Sequence, residues 1–254
     1  MNERMPAGIL RPAACASAIS VATGPIVVGG RQILSPLQLT LNEQRIGIIG
    51  RNGAGKTTFM RLLAGLIAPR SGEVRLGPVN PQNDRRGALD RIGILFQNPD
   101  HQILFPTIDE ELAFGLGQKG LPRDEAFRLA KQALAAEGRA HWAGQPVSTL
   151  SGGQKHYLCL LSLLLMAPET LLLDEPFAGL DLPTIARLRR RLTSLPQRLI
   201  IISHDPAAME MVERILWFEQ GRLVADGPAD DVLPAYIIEM ERIGESDADT
   251  DLAD

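Results

Sequence analysis

The sequence lacks the features that mark several large classes of protein. Only two cysteines occur in 254 residues, Cys15 and Cys159, and because they lie far apart we expect neither a disulfide framework nor a paired-cysteine metal site. No apolar run approaches the roughly 20 residues that cross a bilayer. Basic residues are not in surplus, since 26 Lys and Arg stand against 30 Asp and Glu, and this disfavours a protein that acts mainly on nucleic acid.

The rest of the composition is that of a globular chain. Hydrophobic residues make up 45% and charged residues 22%, which provides enough apolar surface for a sizeable core. The length fits one large domain, or a core with a subdomain. We expect a frayed start, because the segment around Cys15 lacks the apolar run of a secretion signal. Residues 245–254 hold five acidic residues and no basic one, and predict a solvated tail.

Short apolar segments alternate with helical patterns along the chain, which predicts an α/β fold whose parallel sheet is covered on both faces. Strands are predicted at 37–41, 45–49, 73–76 (an edge strand), 92–96, 171–174 and 199–202, and helices at about 59–66, 124–137 and 184–194. The segment from about 98 to 168 carries helical patterns with breakers between them and predicts an inserted helical subdomain.

A glycine-rich turn joins the strand at 45–49 to the helix after it. Residues 50–57 read Gly-Arg-Asn-Gly-Ala-Gly-Lys-Thr and fit G-x-x-x-x-G-K-[ST], the phosphate-binding P-loop. Its backbone N–H groups and the helix N-terminus are expected to face an anion, with Lys56 reaching the β- and γ-phosphates and Thr57 binding Mg²⁺. The predicted nucleotide-binding residues are Asn52, Gly53, Ala54, Gly55, Lys56, Thr57 and Thr58.

Polar side chains follow three of the other predicted strands. Ligands of an open parallel sheet bind at the carboxyl ends of its strands. Asp174 is expected to hold Mg²⁺ there, usually through water, and Glu175 to accept a proton from an attacking water. Gln97 is expected to orient that water and Mg²⁺, and His204 to donate a hydrogen bond to the γ-phosphate.

One further motif, Leu150-Ser151-Gly152-Gly153-Gln154, opens an apolar helix whose N-terminus forms a second anion site. It resembles the signature motif of ABC ATPases. The P-loop, Gln97, the Asp174-Glu175 pair, Gly179-Leu180-Asp181 and His204 occur in the order of that family, over roughly residues 20–230.

The resemblance implies a P-loop NTPase (RecA-like) core with a parallel central sheet, an N-terminal antiparallel β part and an inserted α-helical signature subdomain. A single ATPase domain is expected over 1–244, with the ATP-binding core at about 20–97 and 169–230 and the helical subdomain at about 98–168.

The resemblance also implies that two such chains pair head to tail and hydrolyse ATP with Mg²⁺. Each ATP would lie between the P-loop of one chain and Ser151, Gly153 and Gln154 of the other. Asp181 would link the two sites. Because every motif is present in this one chain, we expect a homodimer; a pair of different ATPases is the alternative.

A finer resemblance lies in Phe96-Gln97-Asn98-Pro99-Asp100-His101-Gln102 and in the acidic segment that begins at Glu110. Both look like the ATPases of energy-coupling factor (ECF) transporters. That implies a transmembrane scaffold (T) protein, whose coupling helices present arginines to Asp100, Glu110 and Glu111, and a substrate-binding membrane (S) protein. The chain is then expected at the cytoplasmic face of the membrane, bound through these partners and not to nucleic acid.

Within that group the segments 155–160 and 175–184 look most like the biotin-transporter type, and cobalt or nickel importers are the alternative. A soluble ABC ATPase acting on DNA or ribosomes is less favoured. Only 53 residues separate Gln97 and Ser151, without the sustained heptads of a coiled coil. The chain also has the length of one ATPase half, whereas ribosome-acting relatives usually carry two.

Two departures from the family pattern stand out. ABC ATPases usually stack adenine on an aromatic residue some two dozen positions before the P-loop, but no aromatic residue precedes Phe59. The corresponding place is near Val27 or Val28, whose apolar side chains can cover adenine without the stacking contribution of about 1 kcal/mol. The basic run usual after the signature is replaced by His156-Tyr157.

Overall fold

The computed structural model describes residues 17–245. The expected frayed start around Cys15 lies outside the described residues, which begin at Ser17. Of the expected acidic tail, only Glu245 is described. The strands of the described part are β1 (Ile19–Thr23), β2 (Ile26–Val28), β3 (Arg31–Leu34), β4 (Leu37–Leu41), β5 (Arg45–Ile49), β6 (Gly72–Leu76), β7 (Ile92–Leu95), β8 (Thr170–Asp174), β9 (Arg198–Ile202), β10 (Arg214–Glu219) and β11 (Arg222–Pro228).

The α-helices of the same part are α1 (Lys56–Leu63), α2 (Arg85–Arg91), α3 (Ile108–Gln118), α4 (Arg123–Ala136), α5 (Gly152–Met166), α6 (Leu182–Thr193), α7 (Pro206–Met209) and α8 (Ala229–Glu245). Short 3₁₀ turns occupy Pro99–His101, Ala140–Trp142 and Val147–Thr149. Within residues 17–245 no helix combines the length and the apolarity that a bilayer crossing requires.

The predicted α/β fold, with a parallel central sheet and antiparallel N-terminal strands, is confirmed. The central sheet has the strand order β11-β10-β5-β9-β8-β7, and a second, antiparallel sheet has the order β4-β1-β6. The pairs β5–β10 and β7–β8 are parallel, whereas β11 pairs antiparallel with β10. Every predicted strand and helix is present within a few residues of its predicted bounds, and β6 is an edge strand as expected.

The described residues divide into two compact units, which we name by the motifs they hold. The P-loop unit comprises residues 18–83 and 200–245. The signature unit comprises Ser17 and residues 84–199. These limits differ from the expected helical subdomain at about 98–168, and the narrower boundaries stay a prediction.

In the P-loop unit, burial explains the elements around the glycine-rich turn. β5 is buried on both faces, and a Cβ on its Gly47 would lie 2.5 Å from the sulfur of Met209, so a larger residue there would have to displace that side chain. α1 buries Phe59, whose ring packs 5.1 Å from that of Phe218. Burying such a side chain stabilises the fold by about 1.5–3 kcal/mol. The turn is therefore held between two buried elements.

The signature unit has its own core between helices and buried strands. β8 is buried along its whole length, as its apolar sequence predicts. α3, α4 and α5 pack together through fully buried leucines, of which Leu112, Leu134 and Leu158 are examples. This packing fixes the position of α5 and therefore of the signature motif at its start.

Candidate functional site

The glycine-rich turn Gly50–Thr57 leaves β5 and enters α1, as predicted. Gly50, Gly53 and Gly55 have φ angles of 139°, 78° and 99°, which residues with side chains rarely adopt. A Cβ on Gly50 would lie 2.0 Å from the carbonyl oxygen of Phe218, whereas a Cβ on Gly53 would meet nothing within 4 Å. The turn is therefore tightly packed where it leaves the sheet and open at Gly53, where an anion would need room.

Lys56 folds back over this turn. Only 8% of the residue is exposed, and its Nζ donates to the carbonyl oxygens of Gly50 at 2.6 Å and Arg51 at 2.9 Å. The residue before it, Gly55, is the N-cap of α1 and has no side chain to occupy the first N–H groups of the helix. The start of α1 thus combines a buried cation with helix N–H donors, which suits a phosphate.

The other predicted nucleotide-binding residues lie in the same turn and in the first turn of α1. They are the exposed Asn52, the buried Ala54 and the half-buried Thr57 and Thr58. The carbonyl of Ala54 accepts the N–H of Gly221 at 3.1 Å, and Arg51 pairs with Glu219 at 2.8 Å. Two contacts with the β10–β11 hairpin therefore hold the turn in its bent shape.

His204 lies in the same unit, in the loop after β9. The N–H of Ser203 donates to the carbonyl of Ile48 at 3.4 Å, two residues before Gly50. The hydroxyl of Ser203 in turn accepts the N–H of Asp205, which caps α7. His204 itself is exposed. The loop that carries it is thus bonded to the same end of β5 from which the P-loop emerges.

In the signature unit, the ends of β7 and β8 bring three predicted residues to one edge. The strands are parallel with Leu95 opposite Leu173, so they end together. Asp174 ends β8 and is buried, with 6% exposed. Glu175 follows with a φ of 48°, a left-handed backbone that is uncommon without glycine and concentrates at functional sites. Gln97 lies exposed two residues beyond β7.

The predicted signature motif opens α5. Ser151 is the N-cap: its hydroxyl accepts the N–H of Gln154 at 3.4 Å, while the Gln154 side chain accepts the N–H of Ser151 at 2.8 Å. This reciprocal pair is a capping box. A Cβ on Gly153 would lie 3.3 Å from a methyl of Leu180, so the motif packs against the segment before Asp181.

Asp181 caps a second helix at this place. Its carboxylate accepts the N–H of Thr184 at 2.9 Å at the start of α6. Hydrogen bonds from Thr184, together with the charge of Arg187, hold the pKa of Asp181 below its ordinary value. Asp181 is also exposed, so it presents a carboxylate to solvent beside the signature motif.

Two of the acids predicted to meet a partner are accessible. Asp100 is exposed in the 3₁₀ turn Pro99–His101 and pairs with Lys155 of α5 at 2.7 Å. Glu110 is half-buried in the first turn of α3 and accepts the hydroxyl of Thr107 at 2.5 Å.

Glu111 does not fit that expectation. Only 5% of it is exposed, and its carboxylate accepts the N–H groups of Leu104 and Phe105 at 2.9 and 3.0 Å. The reason is helical geometry: Glu110 and Glu111 are adjacent, and adjacent residues point to different sides of a helix. Glu111 holds the loop before α3 instead of facing outward.

The place expected to cover adenine is the tip of a small hairpin. β2 and β3 are joined by Gly29 and Gly30, whose φ angles of 58° and 83° match a tight two-residue turn. Val28 is 45% exposed beside this turn, and Val27 is half-buried. The hairpin thus presents a small apolar surface.

Comparison with known proteins decides the family. The profile of the family described as ABC transporter matches residues 34–178, which is more than half of the chain. The chain belongs to the ABC transporter family. It is accordingly an ATP-binding subunit of the kind that hydrolyses ATP.

Three relatives illustrate where this ABC ATPase lies within the family. It is 49% identical to the biotin transport ATP-binding protein BioM of Rhodobacter capsulatus over 86% of this chain and 94% of that one. It is 37% identical to BioM of Rhizobium etli, over 86% and 97%. Among solved structures, cbiO1 of Clostridium perfringens, part of the ABC transporter complex cbiONQ, is 26% identical with a TM-score of 0.73, over 90% and 95%.

The donor atoms of the predicted metal ligands suit Mg²⁺. Thr57, Gln97 and Asp174 offer a hydroxyl, an amide and a carboxylate, all hard oxygen ligands. No cluster of three or more His, Cys, Asp or Glu side chains within residues 17–245 could hold a metal ion by itself. Mg²⁺ is commonly bound by one or two carboxylates together with substrate phosphates, so donors of these types suit an ion that arrives with ATP.

Sequence reasoning missed three features around these motifs of the ABC ATPase. They are the bond from Gly221 that supports the P-loop, the pairing of Lys155 with Asp100, and the burial of Glu111. Each is a contact between residues at least six positions apart in the sequence. No local pattern of residue types signals them.

Proposed function

We propose that this ABC ATPase powers biotin uptake by an ECF-type importer. The main support is the 49% identity to BioM of Rhodobacter capsulatus, over 94% of that protein's length. The similarity to BioM of Rhizobium etli, with the same coverage of this chain, supports the same assignment.

In the proposed mechanism two copies of the chain enclose two ATP molecules. The P-loop of one copy, residues 52–58, would wrap the phosphates with backbone N–H groups, and Lys56 would exchange its bonds to backbone carbonyls for bonds to the β- and γ-phosphates. The N-terminus of α5 in the other copy would complete each site through Ser151, Gly153 and Gln154. Such fixed donors stabilise charge that develops during phosphoryl transfer.

Hydrolysis then requires a positioned water. Glu175 would accept a proton from this water, and its left-handed backbone ends the extended run of β8 just before it. Gln97 would orient the water, and His204 would donate to the γ-phosphate. Thr57, Gln97 and Asp174 would hold Mg²⁺, which would supply charge neutralisation when bound. Asp181 would connect the two sites.

The proposed partners are the membrane T and S proteins, with this chain bound at the cytoplasmic face of the membrane. Asp100 and Glu110 supply acidic groups for arginine-bearing coupling helices. Between them the surface is partly apolar: Leu104 is 67% exposed, and the ring of Phe105 packs 5.1 Å from that of Phe114, which is 38% exposed. Apolar anchors with a charged rim suit a helix from another protein.

A cobalt or nickel importer is the second candidate, favoured by the 26% identity to cbiO1 over 90% of this chain. Substrate choice cannot depend on the ATPase motifs, because ATP is common to both. The decision must come from the partner that binds the cargo.

The test is to tag the full chain, purify it from detergent-solubilised membranes of its own organism and identify what co-purifies. We expect a multi-spanning scaffold protein and a smaller membrane protein that binds labelled biotin, with loss of biotin uptake in cells lacking the chain. Co-purification of a metal-binding membrane protein with intact biotin uptake would favour the second candidate. A second, non-identical ATPase in equal amount would contradict the homodimer.

A further inference from the structure

Glu137, the C-cap of α4, receives hydrogen bonds from two other helices of the signature unit. The hydroxyl of Tyr157 on α5 donates to one carboxylate oxygen, and Nη2 of Arg191 on α6 donates to the other at 2.6 Å. The side chains of Glu137 and Arg191 are only 19% and 24% exposed, so water screens the pair less than it screens a surface pair. A single carboxylate therefore joins three helices.

The backbone at the end of α4 fixes this carboxylate. Gly138 takes a φ of 67°, its N–H donates to Ala135 at 3.0 Å, and the N–H of Arg139 donates to Leu134 at 2.7 Å. These two bonds, with a glycine in the left-handed region, form a Schellman motif. The motif sets the position of the residues on both sides of Gly138, including Glu137.

Arg139 in turn fixes the ring of Tyr157. Its guanidinium lies 4.3 Å from the centroid of Tyr157 and 4.7 Å from that of Trp142, which is buried. Burial and the neighbouring Glu137 raise the pKa of Tyr157 to about 12, so its hydroxyl stays a donor at neutral pH. The ring cannot turn away from Glu137 without losing the contact with Arg139.

The helices joined in this way carry the two motifs expected to reach the partner chain. Ser151, the N-cap of α5, lies six residues before Tyr157, and Asp181, the N-cap of α6, lies ten residues before Arg191. Their starts lie against each other, because a Cβ on Gly153 would be only 3.3 Å from a methyl of Leu180 and 3.6 Å from the methyl of Thr184. Contact at the starts and a shared carboxylate further along give two points of attachment, and two points fix the angle between the helices.

We propose that Glu137 is a positioning residue for ATP hydrolysis, which acts through Tyr157 and Arg191. It holds the signature motif and Asp181 in one fixed arrangement, so that both meet the partner chain's nucleotide together. This inference rests on the proposed head-to-tail pairing, and it assigns a role to Tyr157, which replaces part of the usual basic run.

The first measurement is the steady-state ATPase activity of the full chain carrying Glu137→Gln or Tyr157→Phe. Either substitution weakens a charge-assisted hydrogen bond of Glu137, and we expect it to lower kcat about tenfold. The KM for ATP should change less than about twofold, because the P-loop of the same chain is untouched. Combining the two substitutions should add little, since both break one connection. Arg191→Lys, which keeps the charge, should retain more activity than Arg191→Met.

Glu125→Gln is the matched control. It removes the same charge from the same helix, at a residue whose carboxylate is 49% exposed and lies 3.7 Å from Arg128. It should leave kcat and KM at wild-type values. Thermal unfolding of each variant sets an assay temperature at which all are folded, so that a loss of kcat is not a loss of folded protein.

The second measurement uses differently tagged chains purified as mixed dimers, with Lys56→Ala disabling one P-loop. When Glu137→Gln and Lys56→Ala are on different chains, the intact P-loop faces an intact signature, and activity should equal that of a wild-type chain paired with Lys56→Ala. When both substitutions are on one chain, the intact P-loop faces the altered signature, and activity should fall about tenfold further.

Equal activity in the two arrangements, or a rise in KM without a fall in kcat, would overturn the positioning role while leaving the proposed function intact. Failure of wild-type chains to pair in ATP would contradict the proposed sandwich, and the positioning role with it. The two failures are thus told apart by whether wild-type pairing is normal.

Discussion

Lys155, which directly follows the signature pentapeptide, is bonded to Asp100, with 2.7 Å between its Nζ and the carboxylate. Asp100 lies three residues beyond Gln97, in a turn that Asn98 caps by accepting the N–H of Asp100 at 2.9 Å. Its side chain is nevertheless 63% exposed. Asp100, the acid that we propose meets a membrane partner, is therefore already linked to the start of α5 through Lys155.

This pair can be tested by exchanging its charges. Asp100→Lys should abolish biotin uptake but change the ATPase activity of the purified chain less than about fivefold, because an exposed ion pair contributes only about 0.2–1 kcal/mol. Adding Lys155→Asp re-forms the pair in reverse and should restore the purified activity fully, but not uptake, since a partner arginine would then face a lysine. Restored uptake in the double variant would show that Asp100 serves only the pairing within the chain.

Replacing Glu175 separates ATP binding from hydrolysis. Glu175→Gln should lower turnover by about 10²–10⁴, the usual contribution of a general base, and should leave ATP-stabilised dimers that light scattering can detect. Lys56→Ala should instead weaken ATP binding, measured by nucleotide titration, and should not form such dimers. Near wild-type hydrolysis by Glu175→Gln would disprove the assignment of the base.

Glu111 should matter to stability and not to partner binding. Glu111→Ala leaves the N–H groups of Leu104 and Phe105 without their acceptor, and we expect the free energy of unfolding to fall by about 1–3 kcal/mol in a denaturant titration. Glu110→Ala, next to it, should cost less, because its hydrogen bond to the Thr107 hydroxyl is half exposed. Equal stability of the two variants would contradict the buried role of Glu111.

These acids show what local sequence can and cannot predict. The strand that leads into Gly50 and the strand that ends at Asp174 were predictable, because a short apolar run followed by a recognisable polar motif is a local signal. Glu110 and Glu111 look alike in the sequence, and only the loop folded over α3 separates an accessible acid from a buried one. The P-loop residues, read as one motif, were predictable together, whereas the support that Ala54 receives from Gly221 was not.

Two of the five strands that carry no prediction, β2 and β11, have weak local patterns. β2 has three residues, and β11 alternates between half-buried and exposed positions without a buried face, so neither carries a strong hydrophobic signal. Both exist because they pair with a neighbouring strand. Pairing between strands is a tertiary contact, and propensity alone specifies it poorly.

The apolar tip of the β2–β3 hairpin allows a gain of affinity. Val28→Tyr should tighten ATP binding by about 1 kcal/mol, or roughly fivefold, if this place covers adenine, because an aromatic ring adds stacking. Val224→Tyr is the control, since Val224 is similarly exposed on β11, at 51% against 45%. Unchanged affinity in Val28→Tyr, measured by nucleotide titration, would show that adenine is covered elsewhere.

Burial of His156 makes stability depend on pH. It is 2% exposed, and this burial lowers its pKa below the ordinary 6.5. Above pH 6.5 the residue is neutral in the folded and the unfolded chain and has no effect. Below 6.5 the unfolded chain binds a proton first, so stability should fall with decreasing pH until the lower folded pKa is reached, by at most about 1.4 kcal/mol per pH unit.

Denaturant titrations between pH 7.5 and about 5 measure this slope. His156→Gln removes the titrating group and should flatten the curve, whereas the same substitution at the exposed His141 should not. Identical slopes for the wild type and His156→Gln would assign the acid sensitivity to other groups.

The proposed contact of Ser151 with a nucleotide would narrow the choice of a capping residue for α5. Capping α5 uses a lone pair of the hydroxyl oxygen, which accepts the N–H of Gln154, and leaves the hydroxyl proton to be donated outward. Aspartate would cap the helix equally well, but its charge would repel a phosphate group. A serine can serve the helix and a phosphate at once, so in the proposed sandwich the start of α5 would not need to unwind or rearrange to meet the nucleotide.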